Sequence, residues 1–348
     1  MLGALAGDIV GSPYEFNHLR TKDFPLFDDH AQFTDESVHT VAVADALLGG
    51  HLPQRSLYHW STRYPYRGYA LLFSEWVHAG HLNPYDSECH GAAIRVSPAA
   101  LLANSLDEAL DNARRTAEAT HTHPEGIKGA LATAHAIFLA RCKASTGAIR
   151  REIEHHYGYD LDRSVDQIRP GYGFTEYSRF TVPEAIVCAL EATDFEDALR
   201  NAVSLGGDAD SLAAIAGAIA EARFGIPDDI ANETLDRLPR EMRDLVHALY
   251  ARSEYVHPVR GHRPSLPGST LKRRYESVGA PEELPGQVTF RTHLGTWEGF
   301  LRYGRAASAS FHAQAKRGQW KDGIIDDYPE LVALVMEAWP DPDEHSIH

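Results

Sequence analysis

The residues best placed for chemistry are Asp208, Asp210 and Ser211, in the stretch Gly206-Gly207-Asp208-Ala209-Asp210-Ser211. Two carboxylates one residue apart, followed by a hydroxyl, stand where a glycine turn opens into Leu212-Ala213-Ala214-Ile215-Ala216-Gly217-Ala218-Ile219-Ala220. A segment apolar on every face is expected to be a buried helix. Carboxylates at its mouth are costly unless a cation meets them. A plainer reading is also open: Asp208 as an N-cap and Asp210 as a first-turn acid favoured by the helix dipole.

A second acidic group decides between these readings. Phe33-Thr34-Asp35-Glu36-Ser37 precedes Val38, Val41, Ala42, Asp45, Ala46 and Leu48 at mostly helical spacing, with Thr34 or Asp35 as the cap. Thr34, Asp35, Glu36, Asp208, Asp210 and Ser211 are all hard oxygen donors. Such a set suits Mg²⁺, Mn²⁺ or Ca²⁺ rather than zinc. The number of ligands points to two ions sharing carboxylates, because magnesium usually keeps several waters.

The elements that must position these groups read as helices. Residues 2–12 form a short apolar helix, and a loop containing Tyr14-Glu15-Phe16 runs to about Phe33. Ser105-Leu106-Asp107-Glu108 reads as a capping box opening a helix to about Ala119. Helices follow over 125–142 and 146–157, and another starts at a capping box, Thr181-Val182-Pro183-Glu184, and runs to about Glu191. Asp194–Ser204 is a further short helix, and two more fill 227–253. Period-two alternation is confined to Gln287-Val288-Thr289-Phe290-Arg291, so the fold class is all-α.

The sequence has 348 residues, 43% of them hydrophobic, enough for a large core. Its net charge of −16 opposes nonspecific binding to nucleic acid or to anionic membrane. Three cysteines without CxxC spacing exclude a disulfide framework and fit a reducing cytoplasm. The start Met1-Leu2-Gly3-Ala4-Leu5-Ala6-Gly7-Asp8 has no basic region and does not read as a signal peptide, and no run reaches the length of a membrane span. Cys89 lacks an evident base, and His121-Thr122-His123 is a weak metal signal.

Composition divides the chain into a main domain over 1–255, a proline-rich linker or arm over 256–293, and a small helical appendage over 294–348. The appendage carries Trp297, Phe300, Leu301, Tyr303, Phe311, Trp320 and Trp339.

Five pieces in order carry a resemblance: Gly7-Asp8-Ile9-Val10-Gly11-Ser12-Pro13-Tyr14-Glu15, Phe33–Ser37, Gly91-Ala92-Ala93-Ile94-Arg95-Val96, Thr120-His121 and Gly206–Ser211. Together they resemble the ADP-ribosylglycohydrolase family. The resemblance implies a compact orthogonal all-α fold, two Mg²⁺ (or Mn²⁺) ions, and hydrolysis of a glycosidic bond between ADP-ribose and an acceptor. Thr34, Asp35 and Glu36 would bind one ion, and Asp208, Asp210 and Ser211 the other, with Asp35 and Asp210 bridging. Glu15 and Asp35 would be catalytic, Glu15 as general base or water-positioner. Ser87, His90, Gly91 and His121 would line the substrate pocket, and Arg95 would lie behind the site.

Glu36 stands where the family usually has Asp. Ser87-Glu88-Cys89-His90-Gly91-Ala92-Ala93-Ile94-Arg95 replaces the family's Ser-Tyr-Gly-Asn-Gly-x-Ala-Met-Arg. The expected partner is an ADP-ribosylated substrate. A noncatalytic ADP-ribose-binding protein on the same fold is the alternative reading.

Overall fold

The computed structural model describes residues 1–80, 82–253, 291–292 and 295–296. Contacts divide the chain into two units, Met1–Ser61 with Leu82–Ala280 and Thr62–His81 with Pro281–His348. Most of the expected linker and appendage lies outside the described residues.

The architecture is all-α, as the spacing predicts. The first unit opens with α1 (Leu2–Gly11), a short 3₁₀ turn (Ser12–Tyr14), α2 (Asp35–Gly49) and α3 (Pro53–Arg63), whose end reaches the unit boundary. In the second unit, α4 (Leu71–Ala79) lies against a strand, Gly295–Thr296, paired antiparallel with Arg291–Thr292. The first unit continues with α5 (Gly91–Ile94), α6 (Ser97–Leu102), α7 (Leu106–Ala117), α8 (Pro124–Arg141), α9 (Thr146–Tyr157) and α10 (Val165–Ile168). It closes with α11 (Ser178–Glu191), α12 (Phe195–Val203), α13 (Ala209–Phe224), α14 (Asp228–Asp236) and α15 (Arg240–Arg252). Among the described helices none is long and apolar enough to cross a membrane.

Helix α13 is the axis of the first unit. It is buried from Ala209 through Ala222 and packs on α1, α8, α11 and α12. Its partner α1 is buried along its whole length. The two run antiparallel, and small residues four apart let their backbones touch. A Cβ on Gly3 would sit 2.3 Å from the Gly217 carbonyl oxygen, and one on Gly7 would sit 1.9 Å from that of Ala213. At Gly11 it would lie 2.5 Å from the Asp210 Cα. At the far end, Glu221 of α13 accepts from the Gly3 N–H at 2.8 Å and from the Tyr250 hydroxyl of α15. The seam therefore delivers the C-terminal end of α1 to the N-terminal end of α13.

Local signals mark most starts and mislead at two. Thr34 caps α2, its side chain accepting from the Glu36 N–H. Ser105 caps α7 through the Glu108 N–H at 3.1 Å, but the Glu108 carboxylate accepts from the Asn104 N–H instead of closing a reciprocal box. Helix α11 begins at Ser178, three residues before the expected cap, and holds Pro183 in its interior. There Pro183 forgoes the bond to the carbonyl four residues back. The Thr181 hydroxyl is taken by the Thr175 carbonyl at 3.3 Å, so it caps nothing. A complete capping box occurs at Ser164 and Gln167 instead.

Substituting Gly7→Ala should lower stability by about 1–3 kcal/mol, because the new methyl meets backbone that cannot step aside. Urea unfolding measures it. Gly147→Ala on α9, where the nearest neighbour is a flexible Arg151 side chain at 3.6 Å, should cost nothing. Equal behaviour of the two variants would contradict the close-packed seam.

Candidate active site

Four chain segments meet where α1 ends. Asp8 comes from the last turns of α1, Glu15 from the residue after the 3₁₀ turn, Thr34-Asp35-Glu36 from the start of α2, and Asp208, Asp210 and Ser211 from the start of α13. The loop between Glu15 and Thr34 contains no helix. It is held down by arginines binding carbonyls. Arg20 donates to those of Arg169, Tyr172 and Leu205, and Arg200 donates to Lys22 and Phe24 at 2.8 Å each. Arg237 donates to Ala31 at 2.6 Å.

The carboxylates fall into two groups. Asp8, Glu36 and Asp210 each offer an oxygen within 4.8 Å of the others, and so do Glu15, Asp208 and Asp210. Asp210 belongs to both. At the centre of the first group, Thr34 Oγ1 lies 2.5 Å from Asp8 Oδ1 and 3.5 Å from Asp210 Oδ2, and also bonds Glu36 Oε2. One hydroxyl proton cannot satisfy three carboxylate oxygens. Asp8 receives two further bonds, from the Thr34 N–H at 2.9 Å and the Ser37 N–H at 3.1 Å. Ser211 Oγ donates to Glu36 Oε1 at 2.8 Å, and its N–H donates to Asp210 Oδ1 at 2.8 Å.

Positive charge is scarce. Among the described residues no lysine or arginine pairs with Asp8, Glu15, Asp35, Glu36 or Asp210. The ion-pair partner at the site is His90, with Nε2 3.3 Å from Asp208 Oδ2. The consequences for protonation follow from burial. Asp8 is raised to about 7, by burial first and by the Glu36 charge second, against the hydrogen bonds from Ser37 and Thr34. Burial, then Asp208 and Glu36, holds Glu15 well above the ordinary carboxylate range. Burial and Glu36 do the same to Asp35, and burial, Glu15 and Glu36 to Asp210. Burial also works against the Asp208 anion, but the bond and charge of His90 prevail and its carboxyl is lowered.

Such a donor set fits divalent cations that prefer oxygen: several carboxylates, two hydroxyls, and no lysine or arginine among the described residues paired with Asp8, Glu15, Asp35, Glu36 or Asp210. The N-termini of α2 and α13 add partial positive charge to the same spot. The capping alternative for Asp208 is not realised, since its side chain makes no cap bond and turns to His90.

The family model for ADP-ribosylglycohydrolases matches residues 1–258. The chain belongs to the ADP-ribosylglycohydrolase family. Its fold is similar to that of a solved ADP-ribosylglycohydrolase-related protein complex, with a TM-score of 0.56 and 25% identity, covering 72% of this chain and 97% of that one. An uncharacterized protein of Archaeoglobus fulgidus is 35% identical over 171 residues, 44% of this chain and 54% of that protein. The chain thus spans about half the length of this curated relative.

On the glycohydrolase fold, the sequence-derived residues take the following places. Glu36, Asp208 and Asp210 enter the two carboxylate groups, with Thr34 and Ser211 bonded among them. Asp35 enters neither group and hydrogen-bonds Glu36. Glu15 joins Asp208 and Asp210. Ser87 is buried and accepts from the Cys89 N–H at 3.2 Å. The His90 ring is fixed between Asp208 and Thr181, and Gly91 lies against the His121 ring. Asp8 is the residue that ligand reasoning on the sequence missed. Its signal was there: it is the sole charged residue of an otherwise apolar helix.

Removing divalent cations should make stability fall as pH rises from about 4 to about 7. Unfolded Asp8 releases its proton near 3.8, whereas the folded group holds it to about 7, so the metal-free fold binds more protons over that interval. Glu15, Asp35 and Asp210 act in the same direction. The melting-temperature gap between Mn²⁺-loaded and chelated protein should therefore widen with pH. A gap that narrows would contradict the buried-carboxylate account.

Proposed function

We propose that this chain is a divalent-metal-dependent hydrolase that cleaves the glycosidic bond between ADP-ribose and an acceptor, a protein side chain, a nucleobase or a small molecule. The observation that supports it best is the pair of three-carboxylate groups sharing Asp210, set in a member of this family. Asp8, Glu36 and Asp210 would hold one Mg²⁺ or Mn²⁺, and Glu15, Asp208 and Asp210 a second. Thr34, Asp35 and Ser211 stand beside them as further oxygen donors. Bound there, the ions supply the positive charge that fixes ribose hydroxyls and balances the carboxylates.

The chain's own groups account for the rest. Hydrolysis breaks the bond from the anomeric carbon to the acceptor through an oxocarbenium-like state, which nearby carboxylates stabilise. Glu15 sits where the loop begins; as the anion, which cations balancing the cluster would favour, it takes a proton from the attacking water, and the departing acceptor takes up a proton from solvent. The wall of Ser87, His90, Gly91 and His121 positions the nucleotide portion. Because Glu88, Cys89 and His90 differ from the family's usual residues, acceptor choice is the property most open to change here.

The test is release of ADP-ribose from ADP-ribosylated protein or nucleic acid with Mg²⁺ or Mn²⁺. Chelation or Asp210→Ala should abolish release, and Glu15→Gln should slow it by about 10²–10⁴-fold. Undiminished turnover in Asp210→Ala would overturn the metal assignment. Tight ADP-ribose binding without turnover on any acceptor would instead mark a binding protein.

A further inference from the structure

Arg20 binds three main-chain carbonyls in two other segments, and the proposed hydrolysis gives it no part. Its Nη1 donates to the carbonyls of Arg169 and Leu205, and its Nη2 donates to that of Tyr172. Nη1 carries two hydrogens, so it serves both of its carbonyls without sharing a proton. Arg169 follows the last residue of α10, and Leu205 follows the Ser204 cap of α12. Carbonyls at a helix end lack intrahelical partners, and one guanidinium from the loop supplies both ends.

The joined segments are those that carry or contact the carboxylates. The loop backbone lies on the turn before α13: a Cβ on Gly206, whose φ is +63°, would sit 2.7 Å from the Leu19 carbonyl oxygen and 2.9 Å from Arg20 Nε. A Cβ on Gly207 would meet the Tyr172 ring at 2.5 Å and the Gly173 carbonyl oxygen at 3.0 Å. Asp208 is the next residue. Arg169 reaches the same turn, its Nε donating to Ser204 Oγ at 3.1 Å.

Two residues beyond Tyr172, the Phe174 ring stacks on Phe16 at 6.0 Å and on His18 at 6.3 Å. Phe16 adjoins Glu15, whose carboxylate stands with those of Asp208 and Asp210. On its other side Glu15 follows Tyr14, which is buried with its ring edge-on to Phe24 at 5.1 Å. The segments of Glu15 and Asp208 are therefore tied to each other directly and again through residues 169–174.

We propose that Arg20 is a positioning residue: by clamping the Arg169, Tyr172 and Leu205 carbonyls to the loop, it fixes Glu15 against Asp208 and Asp210. It touches no reacting atom and acts through Glu15. The clamp follows from its own contacts; what Glu15 does there rests on the proposed function. Lysine does not replace it, because an ammonium is a point donor on a flexible stem, whereas the planar fork reaches three carbonyls in fixed directions.

The test compares full-length wild type with Arg20→Ala and Arg20→Lys, changes at an exposed side chain that leave the buried helices intact. Hydrogen exchange reads the clamp. The Gly171 and Tyr172 N–H groups each bond the Ile168 carbonyl at 3.1 Å, and the Gly206 N–H bonds that of Val203 at 3.1 Å. These amides should exchange about tenfold faster in both variants. A crystal structure of Arg20→Ala should show the Glu15 carboxylate withdrawn from Asp208 and Asp210. In ADP-ribose release with Mn²⁺, kcat should fall by about 10–100-fold with KM changing less. Arg20→Ala added to Glu15→Gln should lower kcat no further, whereas an anchor serving stability alone would add its full effect. Unchanged exchange, an unmoved Glu15, or additive losses in the double variant would overturn the proposal. Wild type that releases no ADP-ribose would overturn the proposed function, and exchange and the Glu15 position would still decide the clamp.

Discussion

Everything at the site depends on the backbone contact between α1 and α13. With Gly7 against the Ala213 carbonyl and Gly11 against Asp210, the helices sit closer than ordinary side chains permit. Only at that separation do Asp8, near the end of α1, and Asp210, at the start of α13, share one carboxylate group. The small residues of both helices therefore set the geometry of the chemistry as well as the packing. A wider helix pair would keep the fold class and lose the cluster.

The same closeness creates an electrostatic problem. Five carboxylates, Asp8, Glu15, Glu36, Asp208 and Asp210, converge, and of these Asp208 alone has an ion-pair partner among the described residues, His90. Burial first, and then their mutual repulsion, raises Asp8, Glu15 and Asp210, so a cation placed among them would stabilise the folded chain. The Thr34 hydroxyl, surrounded by three carboxylate oxygens, shows the deficit at one atom. Functional sites commonly hold such tension, with the surrounding core over-determining it.

Much of this was legible in the residues. The apolar run after Ser211, the cap at Thr34 and the small residues of α1 each express a local rule, and the helices formed as those rules require. Glu36, Asp208 and Asp210 were visible as acids at helix mouths. Asp8 was not singled out as a ligand, because one acid inside a helix is ambiguous until the facing helix is known. Helix α11 started early because the pairing of Cys89 with Tyr177, which carries the bonds from His90 N–H to Glu176 and Ser178 N–H to Glu88, overrides the signal at Thr181. The Asp208–His90 bond likewise joins segments more than a hundred residues apart, which no local pattern reports.

In the proposed function, Asp210 is shared between cations held by Asp8 and Glu36 on one side and by Glu15 and Asp208 on the other. Anomalous diffraction from crystals soaked in Mn²⁺ tests it most directly. Manganese peaks should appear at coordinating distance from Asp210, flanked by those four carboxylates. Well-ordered side chains with no anomalous peak at Asp210, at a Mn²⁺ concentration that supports turnover, would contradict it.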